Sequence, residues 1–162
     1  MLKVSNTARI SKLADIEDSV RGSVITIGDN AVIDSFVKIK AVGGSGDIEI
    51  GENTYINSGT VIFSGNGVRI GKNVLIAPRC VLAPVNHAYK NRDRSILEQR
   101  FGESRGGIVI GDDVWIGANT TVLDGVRIGT GVVVGANSLV RQNLNPYCVY
   151  AGNPLTQIGR RE

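Results

Sequence analysis

An aliphatic residue recurs at every sixth position through most of this chain. Residues 25–42 read ITIGDN AVIDSF VKIKAV, and residues 48–65 read IEIGEN TYINSG TVIFSG. The pattern continues through residues 68–85 and, after an interruption, through residues 108–125 and 126–143. All fifteen hexads share an aliphatic third position. These positions are Ile27, Ile33, Ile39, Ile50, Ile56, Ile62, Ile70, Ile76, Leu82, Ile110, Ile116, Val122, Ile128, Val134 and Val140.

The period predicts an all-β solenoid, a parallel β-helix. β-Branched residues favour extended backbone, and the Gly, Asn and Asp that follow them favour turns. Three hexads then close one coil of 18 residues, and stacked coils pair each strand with its equivalents about 4.8 Å above and below. A sandwich or a closed barrel also has short alternating strands, but neither explains a period of 18. The spacing alone does not set the handedness, since parallel crossovers are right-handed by default.

One domain is predicted for a chain of 162 residues. Arg9, Asp15 and Arg21 fall where the aliphatic column would extend, so the register weakens before residue 25. Pro146 and Pro154 break it after residue 143, and an open stack needs both ends covered. The predicted parts are an irregular N-terminal coil or cap (1–24), five coils (25–143) with an insertion at 86–107, and a C-terminal cap (144–162).

Composition and charge narrow the class of protein. The net charge is +3 and the basic residues are spread along the chain, which favours a small anionic ligand over nucleic acid. No apolar run resembles a secretion signal or a membrane span, so we expect a soluble, cytoplasmic protein. Cys80 and Cys148 have no metal or redox spacing, which favours free thiols in a reducing cytoplasm.

The insertion begins in the sequence VNH with Asn86 and His87, the only histidine of the chain, and continues as an irregular charged run. Interruptions of a repeat often carry function. Imidazole exchanges protons near neutral pH, so His87 is a candidate general base, although a histidine on a loop can also be merely solvated. Asn86 either orients the ring or caps a turn. A zinc site is disfavoured, because such a site needs several histidines and this chain has one.

The VNH motif and the run GIVIGDDVWIGANTTVLDGVRIGTGVVVGANSLVRQNLNPYCVYAGNP resemble the hexapeptide-repeat acetyltransferases. The likeness covers about residues 25–160 and is greatest to the sugar O-acetyltransferases of polysaccharide biosynthesis and to the maltose, galactoside and xenobiotic acetyltransferases. The resemblance implies a left-handed parallel β-helix without a metal. It also implies a homotrimer with acetyl-coenzyme A (acetyl-CoA) lying along the coils, in clefts between subunits.

The resemblance also implies roles for individual residues. His87 matches the family's general base. Trp115 and Gly117 match a segment beside the pantetheine arm, and Ala118 and Ala136 match small residues whose backbone contacts coenzyme A. Trp115 occupies the second slot of its hexad, which should face outward as a ligand or subunit contact.

The match is incomplete at the nucleotide end of the cofactor. Arg141 and Gln142 stand where relatives commonly carry Thr-Lys, and Thr156 stands where some relatives have a coenzyme-binding arginine. Arg160 and Arg161 are the candidate replacements for these phosphate contacts.

Residues that would bind the acceptor are less distinct. Asn57 and Ser58 lie on an earlier coil near the place where relatives bind acceptor, but both residue types are also common in turns. The run from Lys90 to Arg100 is either a solvated charged helical turn or a contact to the acceptor sugar.

The leading hypothesis is an acetyl-CoA-dependent O-acetyltransferase acting on a sugar or polysaccharide-precursor hydroxyl. Direct transfer is favoured over an acyl-enzyme, because Cys80 occupies a hexad position expected to hold a packed small residue. A backbone N–H of Gly117 or Ala118 is the candidate oxyanion donor. Two alternatives stay open: an N-acetyltransferase of a nucleotide-linked amino sugar, and a non-catalytic binding or structural solenoid.

Overall fold

The fifteen aliphatic third positions all point into the stack. Each is at most 2% exposed in the computed structural model, which describes all residues 1–162. The Asn residues that follow several strands take the left-handed backbone conformation, with φ of 54° at Asn30 and Asn53 and 56° at Asn73. These turns bend the chain at regular intervals, and the predicted parallel β-helix is confirmed.

Twenty strands and one helical turn make up the chain. The first nine strands are β1 (Leu2–Val4), β2 (Arg9–Ile10), β3 (Asp15–Glu17), β4 (Ile25–Ile27), β5 (Val32–Ile33), β6 (Lys38–Lys40), β7 (Ile48–Ile50), β8 (Tyr55–Ile56) and β9 (Val61–Phe63). Next come β10 (Val68–Ile70), β11 (Leu75–Ile76), β12 (Val81–Ala83), α1 (Ile96–Gln99), β13 (Ile108–Ile110), β14 (Trp115–Ile116) and β15 (Thr121–Leu123). The last are β16 (Arg127–Ile128), β17 (Val133–Val134), β18 (Leu139–Val140), β19 (Cys148–Ala151) and β20 (Thr156–Arg160).

These strands form three sheets that enclose the aliphatic core. The first sheet has the order β1-β4-β7-β10-β13-β16, the second β2-β5-β8-β11-β14-β17-β19-β20, and the third β18-β15-β12-β9-β6-β3. All neighbours are parallel except β19 and β20. The chain passes from the first sheet to the second, then to the third, and back. We call the three turns between them the first, second and third corners, in that order.

All departures from the 18-residue coil occur at the third corner. Val109 pairs with Arg127, one regular coil later. Val68 instead pairs with Ile108, because the long insertion leaves and rejoins the stack at this corner. Leu2 pairs with Ile25 across a shorter extension. The N-terminal segment therefore forms a coil in register with the next one, although its sequence spacing made it look irregular.

The C-terminal segment returns over the stack. Strand β20 pairs antiparallel with β19 at the open edge of the second sheet. The Arg161 guanidinium donates to the Asp113 carboxylate at 2.8 Å and to the Gly131 carbonyl at 3.2 Å. This residue thus ties the final segment to two earlier coils. No helix in the structure has the length and apolar character needed to cross a membrane.

Candidate active site

The insertion at the third corner closes on itself around His87. His87 and Phe101 form an isolated antiparallel bridge, and their ring centroids lie 5.1 Å apart. The Gly102 N–H donates to the Asn86 carbonyl at 2.8 Å, which closes the base of the loop. His87 is exposed, so its ring is held at the surface of the chain by the returning limb.

A backbone carbonyl orients the His87 ring. Its Nδ1 atom lies 3.1 Å from the carbonyl oxygen of Arg100. A carbonyl oxygen only accepts hydrogen bonds, so Nδ1 carries the proton and the Nε2 lone pair remains available. The same oxygen also accepts from the Ala88 N–H at 2.9 Å. The orienting partner is therefore Arg100, while Asn86 contributes its own backbone to the closure of the loop.

Local structure aims the Arg100 carbonyl at His87. Ser95 and Glu98 form a capping box at the start of α1: the Glu98 N–H donates to Ser95 Oγ at 3.2 Å, and the Ser95 N–H donates to Glu98 Oε2 at 2.9 Å. The Ser95 N–H and the Ser95 hydroxyl both donate to the Glu98 carboxylate, and these two hydrogen bonds lower the pKa of Glu98. Arg100 ends the turn with φ 60° and ψ −136°, a conformation that non-glycine residues seldom adopt. The Ser-x-x-Glu signal was readable in the sequence, but the role of Arg100 was not predicted.

Side-chain hydrogen bonds hold the rest of the charged run together. Gln99 Nε2 donates to the carbonyls of Asn91 and Arg94 at 2.8 and 3.0 Å, and Gln99 Oε1 accepts from the Asn91 N–H at 3.0 Å. The run is thus a folded turn whose helix α1 has no buried residue. Leu97 is 84% exposed on its outer side.

Asp124 anchors the returning limb of the insertion to the coils. It is only 4% exposed and carries three hydrogen bonds. Its carboxylate accepts from the Arg105 and Gly107 N–H groups, both at 2.9 Å, and from Asn66 Nδ2 at 3.0 Å. Asn66 belongs to the preceding passage through the third corner. The sequence does not reveal the role of Asp124, because Asp followed by Gly is typical of an ordinary turn.

Small residues occupy the second corner in the coils of the C-terminal part of the chain. Gly117 and Ala118 are followed one coil later by Gly135 and Ala136, and Ala77 precedes them. A Cβ atom on Gly117 would lie 2.5 Å from the Ala136 nitrogen, so only glycine fits between these coils. Gly117 is thus buried and lets these coils stack closely, whereas Ala118 is half-buried and Ala136 is exposed.

Two of the three alanines at this corner, Ala118 and Ala136, have unused donors. The Gly117 N–H donates to the Val134 carbonyl at 2.7 Å, whereas the N–H groups of Ala118 and Ala136 have no acceptor within the chain. Between Gly117 and Ala118, only Ala118 thus retains a free N–H for an oxyanion or a cofactor carbonyl.

Trp115 belongs to an exposed apolar row on the second sheet. Tyr55, Leu75 and Trp115 pair in register on β8, β11 and β14, and Val133 follows on β17. Trp115 is 52% exposed and faces outward beside the second corner.

The remaining predicted residues are dispersed. Asn57 lies at the second corner, where its Nδ2 donates to the Ile76 carbonyl at 2.7 Å. Arg141 and Gln142 are exposed at the third corner, directly after β18. Arg160 ends β20 and is exposed without an ion pair, whereas Arg161 is engaged with Asp113.

One chain does not bring His87 and the small-residue corner together. His87 leaves the stack at the third corner, whereas Gly117, Ala118 and Ala136 lie at the second. Cys80 is fully buried, its thiol donates to the Gly117 carbonyl at 3.2 Å, and burial raises its pKa. The expectation that Cys80 is a packed residue is confirmed. No group of three or more His, Cys, Asp or Glu is arranged to hold a metal ion.

A parallel β-helix with a histidine-bearing insertion and a corner of small residues defines the class of hexapeptide acyltransferases. The family described as bacterial transferase hexapeptide (six repeats) matches residues 107–142. Galactoside O-acetyltransferase of Escherichia coli is 34% identical over 149 residues, which cover 92% of this chain and 70% of that protein. A putative lipopolysaccharide biosynthesis O-acetyl transferase of the same species, WbbJ, is 38% identical over 80% of this chain and 68% of its own length.

Solved structures agree with the sequence relatives. A variant of AntD, an N-acyltransferase from Bacillus cereus in complex with dTDP and coenzyme A, superposes with a TM-score of 0.82. The two are 26% identical, and the match covers 99% of this chain and 84% of AntD. The chain belongs to the hexapeptide-repeat acetyltransferases, its fold is the left-handed parallel β-helix, and it is an acetyltransferase.

Proposed function

We propose that this protein transfers an acetyl group from acetyl-CoA directly to a hydroxyl of a sugar or polysaccharide precursor, with His87 as the general base. One observation carries the proposal: the Nδ1–H···O=C contact between His87 and Arg100 at 3.1 Å. It keeps the Nε2 lone pair free, which a base that removes a hydroxyl proton requires.

The acyl donor is acetyl-CoA, and it lies along the second corner in this proposal. Gly117 lets the coils that carry Ala118 and Ala136 stack closely, and the free N–H groups of these two alanines are donors for the carbonyls of the pantetheine arm. Trp115 flanks the arm from the second sheet. The proposed reaction uses no metal.

The cofactor phosphates are assigned to two exposed cations, Arg141 and Arg160, and to the amide of Gln142. Arg141, Gln142 and Arg160 have the polar groups, and Arg160 has no intrachain ion pair. Arg161 is not assigned to this role, since its guanidinium already binds Asp113.

The separation of the two corners favours a site shared between subunits. The third corner of one copy supplies His87 and Asn86, and the second corner of a neighbour supplies the donor site and Asn57. Three copies around a threefold axis repeat this heterologous contact and close the ring. We therefore propose a homotrimer, the assembly implied by the resemblance.

The proposed reaction has two steps. The acceptor hydroxyl oxygen bonds to the thioester carbonyl carbon while His87 Nε2 takes its proton, and the Ala118 N–H donates to the oxyanion. The C–S bond then breaks, the acetyl ester leaves on the acceptor, and the imidazolium returns the proton to the coenzyme A thiolate. Atoms and charge balance without an acyl-enzyme.

Acetyl transfer by His87→Ala tests the base. We expect a loss of about 100-fold or more in kcat with coenzyme A affinity unchanged, because only the proton acceptor is removed. The control is Asp93→Asn in the same loop, because the Asp93 carboxylate accepts no hydrogen bond. Asn91 is unsuitable as a control, since its backbone and side chain are hydrogen-bonded. Equal rates in His87→Ala and wild type would eliminate this mechanism.

Co-expression of two inactive variants tests the shared site. His87→Ala removes the base, and Ala118→Leu blocks the donor site of the other corner. A ring that mixes the two variants contains some sites built from two intact halves. About one quarter of wild-type activity should return for random mixing. No recovery in trimers shown to contain both variants would place the whole site within one chain.

A second candidate function is N-acylation of a nucleotide-linked amino sugar. The likeness to AntD, an N-acyltransferase crystallised with dTDP, favours it specifically. A panel of free sugars, nucleotide sugars and nucleotide amino sugars, each with acetyl-CoA, separates the two functions. Transfer confined to the amino sugars would make N-acylation the function.

A further inference from the structure

Residues with a left-handed backbone in this chain are Gly, Asn or Asp, with four exceptions. Ten non-glycine residues have positive φ, and six of them are Asn or Asp, which tolerate this conformation best. The exceptions are Phe36, Arg79, Arg100 and Tyr147. Arg100 aims its carbonyl at His87, and Tyr147 packs its ring over Gly131. Arg79 lays the stem of its side chain over Gly59, which leaves its guanidinium without an intrachain ion pair, and Phe36 covers no glycine.

Phe36 and Arg79 flank Gly59 in one column of the second corner. The Gly59 N–H donates to the Ser35 carbonyl, and the Arg79 N–H donates to the Ser58 carbonyl, which places the three left-handed residues on successive coils. Two coil spacings separate Phe36 from Arg79, about 10 Å. Gly59, between them, contributes no side chain to the gap.

Phe36 and Arg79 are exposed at the two ends of this column. Phe36 is 63% exposed, so its ring is not a core residue. Arg79 is exposed and forms no ion pair, and its Cγ would lie 3.2 Å from a Cβ on Gly59. The arginine stem thus lies over Gly59 and occupies part of the gap. Asp34, the acidic residue of this corner, accepts from the Ser35 N–H at 2.7 Å.

We propose that Phe36, Gly59 and Arg79 form an acceptor subsite that binds a phosphorylated sugar. The ring face of Phe36 offers an apolar surface to one face of the sugar. The Arg79 guanidinium offers a planar set of donors that matches phosphate oxygens. Gly117 and Ala118 lie one coil beyond Arg79 at the same corner, in the donor site of the proposed function. This inference rests on that proposed function. The phosphate belongs to a sugar monophosphate or to a nucleotide-linked sugar.

Two variants separate binding from folding. Phe36→Asn and Arg79→Asn introduce at each turn the residue type that other coils use, so each variant should melt at or above the wild-type temperature. Calorimetry with the full chain uses three probes: glucose, glucose 1-phosphate and uridine diphosphate glucose. Wild type should bind both phosphorylated probes at least 10-fold more tightly than glucose, and the tighter of the two identifies the source of the phosphate.

The variants should lose affinity without losing stability. We expect the Kd of both phosphorylated probes to rise at least 10-fold in Arg79→Asn and about 5-fold in Phe36→Asn, with coenzyme A affinity unchanged. Arg69→Gln is the matched control, because Arg69 is an exposed cation already paired with Glu49 at 2.7 Å on the first sheet. Its affinities should equal those of wild type.

The outcomes distinguish this subsite from the proposed function. Phosphorylated probes that bind no better than glucose, or that bind Arg79→Asn as tightly as wild type, would overturn the subsite even if acetyl transfer depends on His87. Probe binding that depends on Arg79 in a protein with no transferase activity would support the subsite and remove the O-acetyltransferase proposal.

Discussion

The second and third corners of the triangular stack follow opposite rules. The second corner repeats without insertions, and its Gly117 fits against the backbone of Ala136 in the next coil. The third corner accepts every change in coil length, including the loop that carries His87. A surface for an extended cofactor needs identical steps, whereas a base needs a residue that leaves the stack. In the proposed function, one repeat supplies both by keeping them at different edges.

The largest expected difference between the corners is steric. Gly117→Ala puts a Cβ 2.5 Å from the Ala136 nitrogen, and the backbone there cannot yield without moving a coil. We expect it to lower the free energy of unfolding by about 2–3 kcal/mol. Gly102→Ala in the insertion is the matched control, since its nearest neighbour lies 3.6 Å away. Denaturant unfolding measures both, and equal stabilities would refute the contrast.

The anchor of the third corner comes next in size. Asp124→Asn replaces a carboxylate that accepts three N–H hydrogen bonds with an amide that must turn a donor toward one of them. The buried mismatch should cost about 1–3 kcal/mol. Thermal unfolding reports the cost, and hydrogen exchange of the Arg105 and Gly107 amides locates it. Asp93→Asn is the control, and undiminished protection in Asp124→Asn would show that the anchor is dispensable.

A smaller effect is expected at the orienting residue. Arg100→Gly keeps the conformation at φ 60° and ψ −136°, whereas Arg100→Val disfavours it, so only valine should displace the carbonyl that holds His87 Nδ1. We expect about a 10-fold lower kcat for valine, with a changed pH profile and an unchanged KM for acetyl-CoA. Comparable kcat values for the two variants would mean that the arginine backbone does not position the base.

The smallest expected effect is the pH response of the capping box. The pKa of Glu98 is lowered in the folded chain by hydrogen bonds from Ser95, so the ionised form stabilises α1. This stabilisation is present above the ordinary glutamate pKa and is lost as the pH falls through the lowered pKa. The Glu98 amide resonance should shift over that acid range in wild type and stay constant in Glu98→Gln. An acid shift of equal size in the glutamine variant would contradict the capping role.

Much of the candidate site was visible in the sequence as separate residues. His87 was singled out by the interruption, and Trp115 by its outward hexad slot, which agrees with its 52% exposure. Arg100 was not, because a carbonyl direction depends on backbone angles that no residue type specifies. Asp124 was not either, since its partners Asn66 and Arg105 lie on different passages through the third corner.

The hexad period determined the coils and the aliphatic core, because strand and turn preferences act over neighbouring residues. It did not determine the first coil, where Ile10 and Ile33 pair only after the longer third corner resets the register. Tertiary structure alone decided the tautomer of His87 and the column that joins Phe36 to Arg79. Both depend on contacts between residues distant in the chain, whose alignment follows from how the coils stack.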